Sequence, residues 1–124
     1  VLERWSAQLR LGNSVFERGE ISEQLFQQLL QTIQGLLSKV YKYSDLNLSI
    51  TATSAMRSAK NNGETAARIE SIVGYPLKIL SGTEECQCLA DGVKSFLPPS
   101  MVLDYPLKQT FLADLGGGIW KYLY

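Results

Sequence analysis

The chain has 124 residues, 45% of them hydrophobic, which suits one modest core rather than two ordinary domains. Twelve basic and twelve acidic side chains cancel, so nothing in the totals argues for DNA or RNA as a partner and any anion site would be local; no apolar run reaches membrane-spanning length. The absence of histidine argues against a zinc site and against Ser-His or Cys-His nucleophile pairs, leaving carboxylates, Lys, Tyr or water for any acid–base work.

Trp5, Ala7, Leu9 and Leu11 alternate with Ser6, Gln8 and Arg10, which predicts a half-buried strand. Turns are expected at Gly12-Asn13-Ser14 and at Arg18-Gly19-Glu20. From Ile21 to Tyr43 the apolar residues Leu25, Phe26, Leu29, Leu30, Ile33, Leu36, Leu37, Val40 and Tyr41 recur at helical spacing, with glutamines on the other face. This predicts a long amphipathic helix, with Ser22 as N-cap and Glu23 in its first turn. Leu46 to Thr53 alternates as a strand. A short helix through Arg57 is expected to end near Asn61-Asn62-Gly63, and a second to run from about Glu64 to Val73, stopped by Gly74. Pro76 to Leu80 reads as a short strand. A helix follows from Thr83, taken as its cap type, to Phe96, broken or ended near Gly92. Leu97 to Ser100 reads as loop and Met101 to Lys108 as irregular. Thr110 to Leu115 is an apolar strand, Gly116-Gly117-Gly118 a turn, and Trp120 to Tyr124 a returning strand. Strands alternating with helices predict an α/β layered domain with a mostly parallel or mixed sheet, in which ligands bind beyond the carboxyl ends of strands. Cys86 and Cys88 diverge on a helix with one residue between them, so reduced, buried thiols in a cytoplasmic protein are expected.

Three strand ends carry residues suited to phosphate chemistry. The first is Thr51-Ala52-Thr53-Ser54-Ala55-Met56-Arg57, where Arg57 offers a planar fork of donors. Its plain explanation is a surface arginine with Ser54 as a helix cap. The second is Ile79-Leu80-Ser81-Gly82-Thr83-Glu84-Glu85, which sets two adjacent carboxylates in the first turn of a helix, where the dipole favours the ionised form. Acids are common there without any function. The third is Asp114-Leu115-Gly116-Gly117-Gly118. Successive glycines let backbone N–H groups face a phosphate, and a strand-end Asp can hold a divalent metal through water. A flexible hairpin turn accounts for the triplet equally well. No Gly-Lys-Ser/Thr follows, so this is not a Walker loop.

These three motifs, in this order, resemble the exopolyphosphatase / guanosine-pentaphosphate phosphatase (Ppx/GppA) family. Leu9-Arg10-Leu11-Gly12 and Gly19-Glu20-Ile21-Ser22-Glu23 are similar to that family's run before its first long helix. The resemblance implies an incomplete ribonuclease-H-like lobe of the actin-like, sugar-kinase-like ATPase superfamily, with a mixed sheet and flanking helices. Residues 1–110 would be the first lobe without its N-terminal strand and phosphate loop, and residues 111–124 the start of the second lobe. The chain would then be either a fragment or a degenerate relative. The implied activity is hydrolysis of the terminal phosphoanhydride of inorganic polyphosphate, or of the 5′-phosphate of guanosine pentaphosphate, with magnesium, in a cytoplasmic protein, with a homodimer as the expectation for the full-length form. By the same resemblance Glu85 is the general base, Arg57 contacts phosphate, Asp114 belongs to the metal site, and the backbone of Gly116, Gly117 and Gly118 cradles phosphate. Glu84 is then the first-turn acid that complements the dipole. The sequence departs from the family in carrying Ile119, Trp120 and Lys121 where Ser-Thr-Glu usually follows the glycines. Lys121 in place of an acid favours the alternative, a non-catalytic sensor that binds polyphosphate or a nucleotide.

Overall fold

The structure, a computed structural model, describes residues 6–41, 47–96, 112–115 and 120–123, the last two stretches as backbone strands. In chain order its elements are α1 (Leu11–Arg18), α2 (Glu23–Val40), β1 (Ile50–Ala52), α3 (Ser54–Ser58), α4 (Asn62–Val73), β2 (Leu77–Ile79), α5 (Gly82–Lys94), β3 (Leu112–Leu115) and β4 (Trp120–Leu123). They fall into two compact units, Val1–Ile79 and Leu80–Tyr124. The expected lobe boundary between residues 110 and 111 lies outside the described residues.

In the first unit, helices supply most of the core. Phe26, Leu30 and Leu37 of α2 pack with Val15 of α1, Met56 and Ala59 of the α3 segment, and Ile69 and Val73 of α4. The helical period of α2 is therefore its buried stripe, as expected, except that Tyr41 is 63% exposed. Tyr41 caps the helix and is not a core residue. Ser22 is the N-cap, and its hydroxyl accepts from the Leu25 N–H at 3.3 Å. β1 and β2 form a parallel pair with Ile50 opposite Leu77 and Ala52 opposite Ile79. Glu70 near the end of α4 accepts from the Leu77 N–H at 2.7 Å, fixing where β2 starts. Gly74 ends α4 at φ 76°, the left-handed conformation that spares glycine a Cβ clash.

The second unit holds α5 and an antiparallel β3–β4 pair, in which Asp114 stands opposite Lys121. Trp120–Leu123 is thus the returning strand that the sequence suggests. Among the described residues the two ladders are separate, one parallel and one antiparallel.

Several expectations are corrected. Residues 6–10 form no regular strand, and the proposed turn Gly12-Asn13-Ser14 lies inside α1. The alternation about Leu9 lost to a helical pair: Leu11 and Val15 sit one turn apart, Val15 is buried, and Gly19 at φ 77° supplies the stop. Among the described residues of the strand expected from Leu46 to Thr53, only Ile50–Ala52 form one, and α4 begins at Asn62. Gly92 does not break α5; the helix ends two residues later at Lys94, which agrees with the alternative of an end near Gly92. Both cysteines are free thiols on α5, but Cys88 is exposed and Cys86 half-buried, so neither is a core residue. No helix among the described residues is long and apolar enough to cross a membrane.

Candidate functional site

Because β1 and β2 run parallel and in register, their carboxyl ends share one edge of the sheet. From that edge β1 leads into α3, and Arg57 sits in the last turn of this five-residue helix. Thr53, not Ser54, is the N-cap, and its side chain makes no capping bond, so the expected Ser54 cap is not formed. The buried Met56 and Ala59 flank the half-buried Arg57 and pin its backbone to the core. The Arg57 N–H donates to the Thr53 carbonyl at 2.9 Å, and its own carbonyl accepts from the Asn62 side-chain amide at 3.1 Å.

The helix that carries the paired carboxylates starts earlier than its Thr suggests. Ser81 is the N-cap, with Gly82 and Thr83 already helical. The Ser81 hydroxyl accepts from the Glu84 N–H at 3.2 Å, and the Glu84 carboxylate accepts from the Ser81 N–H at 2.9 Å. This is a capping box, and the pattern Ser81-x-x-Glu84 spells it out. Glu84 is thereby committed to the helix start. Glu85, half-buried, stands about 100° further round the helix, with its N–H bonded to the Ser81 carbonyl at 3.0 Å.

Asp114 lies in β3, and the Gly116, Gly117 and Gly118 of the expected phosphate loop lie outside the described residues. Arg57 belongs to the first unit, Glu85 and Asp114 to the second. Among the described residues no group of three His, Cys, Asp or Glu side chains gathers that could hold a metal ion.

Among the described residues the resolved electrostatic shifts belong to a different pair. Arg68 of α4 donates both guanidinium arms to Glu23 of α2, at 2.8 and 2.9 Å, and stacks 3.8 Å from the Phe26 ring centre. Hydrogen bonds from Arg68 and then Gln27 lower the Glu23 carboxyl from the usual 4.5 to about 2, and the same contact raises Arg68. This pair clamps two helices and is exposed, which marks it as structural.

A sequence model of the Ppx/GppA phosphatase family matches residues 1–119. The chain belongs to the Ppx/GppA phosphatase family. Two solved structures resemble this Ppx/GppA chain. One is the crystal structure of an exopolyphosphatase-like protein, 27% identical, with a TM-score of 0.61 over 68% of this chain and 26% of that one. The other is the Aquifex aeolicus member of the Ppx/GppA family, 24% identical, with a TM-score of 0.62 over 90% of this chain and 34% of that one. At that identity the second likeness speaks for the fold. This Ppx/GppA chain spans a quarter to a third of the lengths of the structures it matches.

Proposed function

We propose that the chain carries the base and part of the phosphate-binding surface of an exopolyphosphatase-type phosphohydrolase, built on a ribonuclease-H-like lobe. This reading is supported by the family match over residues 1–119, together with the capping box that engages Glu84, and not Glu85, at the helix start. Glu85 takes a proton from water as the water oxygen attacks the terminal phosphorus of polyphosphate. The anhydride P–O bond breaks, and orthophosphate and the shortened chain depart. Arg57 holds phosphate oxygens with its fork of donors. By the family resemblance Asp114 and the backbone of Gly116, Gly117 and Gly118 are the further residues given to phosphate and metal. The 5′-phosphate of guanosine pentaphosphate offers the same terminal phosphate chemistry. Magnesium, where bound, would neutralise phosphate charge, and Asp114 is the residue this reading gives to it.

A second reading is a sensor that binds the anion without cleaving it. It is favoured by the register of β3 and β4, which sets Lys121 opposite the acid expected at the metal site. Phosphate release from inorganic polyphosphate by the full-length protein in magnesium buffer separates the two. Release supports the hydrolase. Protection against thermal unfolding by polyphosphate without release supports the sensor, and neither effect would sink both.

A further inference from the structure

We propose that Asn62 is a positioning residue for Arg57, mounted on a clamp that Asn61 makes. The proposal rests on the reading of Arg57 as a phosphate ligand. A five-residue helix cannot hold its own last turn in place, because too few ladder bonds close it. Its terminal carbonyls also need outside donors. The Arg57 carbonyl finds one in the Asn62 side-chain amide at 3.1 Å. Between them the backbone folds back on itself, with the Ala59 N–H on the Met56 carbonyl and the Asn62 N–H on the Ala59 carbonyl, both at 3.2 Å.

The platform under this turn is fixed from 40 residues away. The Asn61 side chain accepts from the Ile21 N–H at 2.9 Å and donates to the Ile21 carbonyl at 2.8 Å. An asparagine amide carries a donor and an acceptor like those of a peptide, so it pairs with a backbone unit as a strand neighbour would. Next to it the Lys60 N–H donates to the Gly19 carbonyl at 2.9 Å. These three bonds tie the start of α4 to the joint between α1 and α2, where Ile21 is buried.

The pattern has a telling cost. Asn61 occupies the N-cap position of α4, where asparagine is among the preferred caps, yet its side chain makes no capping bond. The fold gives up a helix cap to hold the turn below Arg57. Two neighbouring asparagines thus spend their amides on a clamp and on the Arg57 carbonyl. Small errors in placing a ligand-binding group are costly, which gives such anchoring a use.

The test is the affinity of the full-length protein for inorganic polyphosphate, measured by titration in a double-mutant cycle. Asn62→Ala is expected to weaken binding about three- to tenfold, the worth of one hydrogen bond. In an Arg57→Lys background, which keeps the charge and loses the fork, Asn62→Ala should add little. A second variant, Asn62→Leu, removes the donor at similar side-chain volume without adding charge and keeps a good helix former, so it should weaken binding similarly. If Arg57→Lys binds normally, the reading of Arg57 fails and this proposal with it. If Arg57→Lys binds weakly but Asn62→Ala binds normally, or the two effects simply add, Asn62 has no positioning role and the reading of Arg57 stands.

Discussion

Glu84 bends back to the Ser81 N–H, and Glu85 stands about 100° further round the same turn. The two carboxylates can therefore be separated by substitution. Glu84→Ala is expected to cost about 1 kcal/mol of stability through loss of the box, read as a lower chemical-denaturation midpoint. Elsewhere, Glu23 sets an acid dependence. Its carboxyl is lowered from 4.5 to about 2 in the folded protein by Arg68 and Gln27. A depressed folded value means that the stability it contributes is fully present above pH 4.5 and is lost as pH falls toward 2. Arg68→Ala should remove that part of the acid sensitivity, and an NMR titration of Glu23 in that variant should return toward the usual range. A titration unchanged by Arg68→Ala would refute the assignment of cause. At this scale the sequence was partly legible. Ser81-x-x-Glu84 states its capping box locally, although Thr83 is also a residue of cap type. Asn61 gives no local sign, because its partner Ile21 is 40 positions away.

Among the elements, α2 was readable because its signals agree: a buried stripe at helical period, a serine cap and an acid in the first turn. α1 was not, because Gly12, Asn13 and Ser14 are turn formers and only burial of Val15 and the Gly19 stop make the segment a helix. Propensity there yields to packing. The same reasoning yields opposite outcomes at two glycines. Around Gly35, inside α2, an added Cβ meets nothing within 4 Å. Gly35→Ala should raise stability by about 0.5–1 kcal/mol. Gly74 sits at φ 76°, so Gly74→Ala should lower it by about 1 kcal/mol despite open space around it. Ile69 is 0% exposed at the centre of the first unit, and Ile69→Ala should cost about 2–5 kcal/mol. Urea unfolding of the three variants checks the order Gly35→Ala, Gly74→Ala, Ile69→Ala from most to least stable.

For the molecule as a whole, the sequence order of the motifs carried the family, and the match over residues 1–119 bears it out. The α/β character was legible from alternating elements, while the division between Ile79 and Leu80 was not, because Pro76 to Leu80 reads as one strand that leads straight into the next helix with no linker composition between them. The carboxyl ends of β1 and β2 share one edge, the kind of edge where parallel sheets bind ligands, and the Arg57 segment leaves from it. The central claim is that Glu85, and not Glu84, is the base of a polyphosphate hydrolase. It is tested most directly by phosphate release from inorganic polyphosphate, comparing Glu84→Gln and Glu85→Gln in the full-length protein. Glutamine at position 84 keeps an acceptor for the Ser81 N–H, so that variant should retain near-normal activity. Glu85→Gln should fall by about 10²–10⁴-fold while still binding polyphosphate. Normal release by Glu85→Gln, or a greater loss from Glu84→Gln, would contradict the account.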